Sequence, residues 1–278
     1  MRLTRNLGIA MSLLAGIFYV SVRNAAADQL GFAVDATGSL YSVDLTTATA
    51  TSIGSTGQLI EGLAISPQGS LFGTDFLGNL FSVSRTTGAS TLIGNTGVGD
   101  IEGLSFNGTT LIGTNFSNLG GPTTVYAINT TTAVPTAVTS FSQGPVRAMA
   151  VVNPNTIDVA SDSPVSQSLV QVNLANGTNM VLGQLPSAGA ALIAALNFGS
   201  DGTLYALDPF GNEFIIASNG AGTLVGNTGG QNWLDLTMAS TTLPGAVPEP
   251  GSMALLLTAA LGLISVRAWQ RSGGSEQS

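Results

Sequence analysis

The stretch that decides the fold runs from Ile60 to Gly97. Its four apolar runs read IEGLAISPQG, SLFGTD, NLFSVS and STLIGNTG. Turn residues separate these runs at 67–69, 77–79 and 86–88. Short alternating runs bounded by Gly, Asn and Pro are typical of antiparallel strands joined by hairpins. The stretch therefore predicts one four-stranded antiparallel sheet.

The same pattern recurs along the chain with a period near 40 residues. An offset of 40 aligns 32–43 with 72–83, and an offset of 41 aligns Glu61 with Glu102. The central apolar residue of the first strand occurs five times, at Leu63, Leu104, Met149, Leu196 and Leu236. A fixed period with four strands per unit is typical of propeller blades. We predict an all-β fold, a five-bladed β-propeller of four-stranded antiparallel blades, over residues 28–240.

The first and last units of this pattern are incomplete. The unit that begins at Leu30 lacks a first strand, and the strand at 233–239 has no strands after it. We predict that the two parts complete each other in a composite closing blade, which removes exposed sheet edges. Large and small residues alternate along the first strands, as crowding at the propeller axis requires. The small set is Gly62, Ala64, Gly103, Ser105, Ala148, Ala150, Ala195 and Asn197.

The composition excludes several classes of function. The 278 residues carry a net charge of −8 and include neither cysteine nor histidine. Disulfides, thiolate or imidazole metal sites, and Ser-His-Asp or Cys-His catalysis are thereby excluded. Between Asp28 and Ala246 there are thirteen acids against Arg85 and Arg147, and such a surface repels nucleic acid. We therefore predict a non-enzymatic protein with no nucleic-acid partner.

The N-terminal residues 1–27 have the pattern of a secretory signal peptide. Arg2 and Arg5 precede an apolar segment at 7–22, and Ala25 and Ala27 form a small-residue cleavage site for signal peptidase. We favour cleavage over an uncleaved anchor because the apolar run is short for a membrane span.

The C-terminal residues 247–271 contain three parts in a fixed order, which follow a linker at 241–247. They are the motif Val247, Pro248, Glu249 and Pro250, an apolar run at 253–266, and the basic residues Arg267 and Arg271. This segment resembles the PEP-CTERM sorting signal. The resemblance implies export in a Gram-negative bacterium, handling by an exosortase, and an association with exopolysaccharide and biofilm.

The apolar run also predicts how the chain meets the membrane before processing. We expect a transmembrane helix within 248–271 and a cytoplasmic tail at 272–278, because arginines remain on the cytoplasmic side. The precursor would be anchored in the inner membrane, and the mature protein, cleaved near Pro250, would reach the cell surface or the extracellular matrix. The alternative is a plain anchor that is not processed.

Acidic residues recur at equivalent places in the units. Asp75 and Asp208 follow second strands, whereas Glu61 and Glu102 open first strands. Both kinds of loop lie on the same face of a propeller, so we expect these four acids around one mouth of the channel. They are candidate ligands for calcium, or a rim for hydroxyl-rich sugars. We favour the alternative in which repeated Asp residues cap turns and no cofactor is bound.

A second class of function is glycoside hydrolysis, which needs two carboxyl groups on either side of the scissile bond. Glu61 and Glu102 lie on neighbouring first strands and are the candidate pair. Only Trp233 is expected near the axis strands, so the sequence shows no aromatic platform for a sugar ring. We predict an exported structural or binding module that meets a polysaccharide or a surface protein. A glycoside hydrolase or carbohydrate-binding enzyme is the alternative.

Overall fold

A computed structural model describes residues 29–116, 121–162, 166–186 and 192–238. These residues form twenty strands, and none of them belongs to a helix that could cross a membrane. The predicted signal peptide, linker and C-terminal helix lie outside the described residues.

The strands form five four-stranded antiparallel sheets. In chain order they are β1 (Leu30–Asp35), β2 (Ser39–Asp44), β3 (Thr49–Ser55), β4 (Gly62–Ile65), β5 (Leu71–Thr74), β6 (Asn79–Val83), β7 (Ser90–Asn95), β8 (Ile101–Asn107), β9 (Thr110–Asn115), β10 (Thr123–Ile128), β11 (Pro135–Phe141), β12 (Val146–Asn153), β13 (Thr156–Asp162), β14 (Gln167–Asn173), β15 (Asn179–Gln184), β16 (Ala195–Phe198), β17 (Leu204–Leu207), β18 (Asn212–Ile216), β19 (Gly222–Asn227) and β20 (Trp233–Met238). Each later blade, β4–β7, β8–β11, β12–β15 and β16–β19, is continuous in the chain.

The remaining sheet is the predicted composite blade, with the order β20-β1-β2-β3. Asp35 lies opposite Trp233 and Gly31 lies opposite Met238, so the two ends of the domain pair along a whole strand. The inner strands β4, β8, β12, β16 and β20 contact one another in turn, and β20 returns to β4. The five-bladed ring and its closure are therefore confirmed.

The small residues of the inner strands lie where the blades crowd together. A Cβ atom added at Gly62 would approach the carbonyl oxygens of Ile101 and Glu102 to 2.9 Å. The large residues point into the layers between blades, where Leu63 and Leu104 are almost completely buried. The alternation of small and large residues along the inner strands thus follows from the close packing of these strands around the propeller axis.

A glycine in the turn after the second strand takes part in a hydrogen bond that recurs in three blades. Three such glycines have positive φ angles of 76°, 77° and 86°, and their carbonyl oxygens accept a hydrogen bond from a threonine hydroxyl after the fourth strand. The pairs are Gly38 with Thr56, Gly78 with Thr96, and Gly211 with Thr228. Glycine is favoured at this position because its backbone is in the left-handed conformation. The hydrogen bond connects this turn to the end of the outer strand, and the repeat retains both residues.

The central channel has two different ends. We call the end where the inner strands begin the acidic mouth, and the end where they finish the basal face. β1 runs antiparallel to β20, so the chain enters its first blade at Leu30 and leaves its last strand at Met238, both on the basal face. Both flanking segments are therefore attached to the side opposite the mouth.

Candidate binding site at the acidic mouth

A cavity of about 410 Å³ opens at the acidic mouth. Residues at the start of all five inner strands reach it, and the loop after β17 forms one wall. The lining residues are Glu61, Glu102, Arg147, Leu192, Ala194, Pro209, Phe210, Asn232, Trp233 and Leu234. Two carboxyl groups and one guanidinium are thus set among apolar side chains.

Arg147 connects two blades across the mouth. Its Nε atom donates to Asp162 Oδ2 at 2.7 Å, and its guanidinium lies 3.5 Å from Glu102 Oε2. The guanidinium carbon also lies 5.1 Å from the centre of the Phe116 ring, within range of a cation–π interaction. These contacts fix the arginine and leave it partly exposed to the cavity.

Glu61 interacts with Asp100, a residue that sequence reasoning missed. Among the described residues, Glu61 Oε2 and Asp100 Oδ1 are buried and have no hydrogen-bond partner. Burial, and then the charge of Asp100, raises the pKa of Glu61 to about 7, and burial also raises the pKa of Asp100. Glu61 therefore exchanges between its neutral and ionised forms near neutral pH.

Glu102 is the second ionisable group of the cavity. Burial raises its pKa to about 8, Arg147 opposes this shift, and the nearby carboxylates of Asp100 and Glu61 add to it. The carboxyl group therefore carries a proton for part of the time at neutral pH. The cavity offers hydroxyl donors as well as carboxyl acceptors, in a setting from which water is partly excluded.

Asp75 and Asp208, the other two acids of the predicted calcium site, cap turns. Asp75 Oδ1 accepts the backbone N–H groups of Leu77 and Asn79 at 3.0 and 2.9 Å, and Asp208 makes the equivalent bonds to Phe210 and Asn212. Neither aspartate lines the cavity. Among the described residues no group of three or more candidate ligands is placed to hold a metal ion. Calcium binding stays a prediction.

Phe210 supplies an aromatic side chain that the sequence analysis did not place at the mouth. It is 59% exposed, whereas Trp233, which also lines the cavity, is buried, with its indole N–H donating to Thr228 Oγ1. The sequence analysis expected only Trp233 near the mouth, and the structure adds an exposed phenylalanine from a neighbouring loop. The available signal was a large apolar residue in the second place after the aspartate, Phe210 in DPFGN and Leu77 in DFLGN.

Two further acids at this end escaped the sequence analysis. Asp162 ends β13, one residue beyond Ser161, which holds the place of Asp75, and its carboxylate accepts hydrogen bonds from Arg147 and Gln167. Asp235 on β20 is 3% exposed, and its carboxyl group accepts the N–H of Leu63 on the next blade. Burial raises the pKa of Asp235 well above its usual value. An aspartate in the small-residue series of the inner strands was the available signal.

Comparison with known proteins identifies the fold and no family. No family model matches the chain, and no curated protein matches it in sequence. A propeller in the crystal structure of a nidogen/laminin complex superposes with a TM-score of 0.52 and 12% identity, over 77% of this chain and 98% of that one. A gluconolactonase from Xanthomonas campestris has a TM-score of 0.49 and 12% identity, over 73% and 78%. At 12% identity, the likeness to the first of these structures shows the propeller fold alone.

Proposed function

We propose that the chain is an exported binding propeller without catalytic activity, sorted through residues 247–271 and processed by an exosortase. The acidic mouth is its ligand-binding site. The observation that carries this proposal is the mixed cavity at the mouth, where Glu61, Glu102 and Arg147 stand beside the exposed ring of Phe210.

The chemistry of the cavity suits a hydroxyl-rich polymer. Each sugar hydroxyl both donates and accepts a hydrogen bond. Protonated Glu61 and Glu102 donate, their ionised forms accept, and the guanidinium of Arg147 donates. Phe210 offers an apolar face of the kind that packs against the C–H groups of a sugar ring. A polysaccharide segment is the partner that uses all of these groups at once, and it agrees with the exopolysaccharide association that the C-terminal resemblance implies.

Binding is tested with the full chain in detergent and the exopolysaccharide of the source cells, by titration calorimetry. Phe210→Ala removes the apolar face that would pack against the sugar ring. We expect the affinity to fall about tenfold, which corresponds to about 1.4 kcal/mol of binding free energy. The matched control is Phe76→Ala, which removes an equally exposed phenylalanine from the equivalent loop of another blade, outside the cavity. Equal affinities for both variants would contradict a site at the mouth.

Glycoside hydrolysis is the second candidate, favoured by one observation. Burial raises the pKa of Glu102 to about 8, so this carboxyl group retains a proton at neutral pH, as a general acid requires, while Glu61, with a pKa of about 7, is partly ionised. Reducing ends released from the same polysaccharide, and lost in Glu102→Gln, would establish this activity. Binding without release supports the non-enzymatic proposal.

Processing is tested separately, by the intact mass of the protein from cells that carry an exosortase. Pro248 and Pro250 disfavour helix at the motif and keep the backbone accessible to a protease. We expect a mature C-terminus near Pro250, and a larger membrane-retained form for Glu249→Ala. Recovery of an unprocessed chain that still ends at Ser278 in these cells would show that the segment acts only as a membrane anchor.

A further inference from the structure

The direction of the inner strands determines which face of the propeller is attached to the rest of the chain. β20 runs from the acidic mouth to the basal face and ends at Met238, while β1 starts beside it at Leu30. The domain therefore has both its entry and its exit on the basal face, and the C-terminal apolar run is tethered there.

The tether is short relative to the domain. Fourteen residues, 239–252, separate Met238 from the apolar run. Fully extended they reach at most about 50 Å. A path around the blade to the level of the mouth is at least about 35 Å, from about 15 Å across four strands and about 20 Å along one. For the mouth to turn towards the membrane, the tether would have to extend to about 70% of its maximum length.

Charge favours the same orientation. Besides the buried Asp235, seven carboxyl groups at the acidic mouth stand against Arg147; they are Asp35, Glu61, Asp75, Asp100, Glu102, Asp162 and Asp208. With Glu61 and Glu102 counted as protonated, five carboxylates and one guanidinium leave a formal charge of −4. At the basal face Asp44 and Asp201 stand against Arg85, a formal charge of −1. An anionic bilayer repels the mouth more strongly than the basal face.

We propose that the acidic mouth is the outward, partner-receiving surface of the attached protein, and that the basal face lies against the membrane. The inference rests on the proposed function, because it takes 253–266 as the attachment. The mouth then meets polymer that arrives from the aqueous side, and lipid does not compete for the cavity. After cleavage near Pro250 the mouth faces away from whatever holds the new C-terminus.

The absence of cysteine makes a direct test possible. Gln68→Cys places a thiol in the exposed turn between β4 and β5 on the basal face. Leu77→Cys places one in the exposed turn after β5 on the mouth face of the same blade. Each full-length variant is labelled with a fluorophore, inserted into phosphatidylethanolamine–phosphatidylglycerol vesicles, and quenched by lipid with a spin-labelled headgroup. Matching melting temperatures show that both variants are folded.

We expect quenching at position 68 to exceed that at position 77 at least about twofold, because the turns are separated by about 20 Å along the axis. Equal quenching, or stronger quenching at 77, on vesicles that carry the protein would overturn the orientation while leaving anchorage intact. Failure of the full chain to float with the vesicles would instead overturn the anchoring, and with it both proposals.

Discussion

The blade β4–β7 and the closing blade β20-β1-β2-β3 have the same strand order but different inner edges. In the continuous blade the inner strand presents Gly62 and Ala64 to its neighbour. In the closing blade the equivalent positions are Asp235 and Thr237, and their side chains accept the N–H groups of Leu63 and Ile65. The blade that lacks chain continuity thus has side-chain hydrogen bonds to the next inner strand. The backbone ladder between β1 and β20 closes the ring, and these two side chains add hydrogen bonds from β20 to the inner strand β4 of the next blade.

The other side of the closing blade also departs from the repeat. Glu213 on β18 takes the place that Leu40 and Leu80 hold in their blades, at the second residue of the third strand. It is completely buried, and among the described residues neither carboxyl oxygen has a hydrogen-bond partner. Burial, with a smaller contribution from Asp44, raises its pKa to about 8. Glu213 is therefore a position where we expect a substitution to stabilise the domain, whereas at Asp235 we expect a loss of stability.

The largest expected effect comes from removing the inner strand of the closing blade. Deletion of 233–239 exposes the edge of β1 and removes the buried Trp233, Leu236 and Met238 from the layer between blades. We expect the shortened chain not to fold cooperatively. The burial free energy that it lacks exceeds the stability of about 5–15 kcal/mol of a typical domain. Thermal unfolding by circular dichroism is the measurement. The control, a chain that ends at residue 240, keeps the inner strand, and a deletion variant that melts like this control would contradict the closed ring.

The next effect comes from the side-chain hydrogen bonds of β20. Asp235→Ala leaves the N–H groups of Leu63 and Leu236 without their acceptor inside the protein. We expect the free energy of unfolding to fall by about 2–4 kcal/mol, since each buried unsatisfied group costs about 1–3 kcal/mol. Urea denaturation measures the change. Asn197→Ala, at the place in β16 that Thr237 holds in β20, is the matched control; an equal loss there would show that the closing blade has no special dependence on these bonds.

A smaller effect of opposite sign is expected at Glu213. Glu213→Leu restores the residue of the other blades and should raise the free energy of unfolding by about 1–3 kcal/mol at pH 8, because it removes a buried group without a partner. The folded protein retains this proton up to about pH 8, whereas the usual glutamate pKa is 4.5, so the contribution of the neutral acid is complete below pH 4.5 and is lost as pH rises to 8.

The pH dependence provides the sharper measurement of this substitution. Glu61 and Glu102 also have raised pKa values and act with the same sign, so the slope should diminish in Glu213→Leu and persist in part. The slope of the unfolding free energy against pH should fall by at most the contribution of one proton, about 1.4 kcal/mol per pH unit. A slope between pH 5 and 8 identical to that of the unchanged protein would show that Glu213 does not titrate as the structure indicates.

The smallest effect should not distinguish the two blades. Asp35 and Asp75 cap the same turn in the closing and continuous blades through the same two backbone N–H bonds. We expect Asp35→Ala and Asp75→Ala each to lower the free energy of unfolding by about 1–2 kcal/mol. We also expect calcium to leave the melting temperature unchanged. A calcium-dependent rise that the double variant Glu61→Ala, Glu102→Ala abolishes would establish the predicted metal site instead.

Much of the fold was predictable because the same strand pattern occurs several times in the sequence. Five copies of one first-strand pattern predicted five blades, and the two incomplete units predicted the composite blade. The acids Glu61 and Glu102 were placed at one mouth for the same reason. Phe210 was not predictable from the repeat because the equivalent residue of the other loop is Leu77, and Asp162 was not because it lies one residue beyond the repeated aspartate position.

By itself, the sequence determined the blade number, the ring closure and the face on which the acids gather, because hydrophobic period and strand direction are local properties that each repeat carries. Only the tertiary structure decided which acids meet. Glu61 pairs with Asp100, Glu102 with Arg147, and Asp235 with a backbone group on the next blade. These partners lie on different blades or loops, and their pKa values depend on burial, which arises only when the ring closes around them.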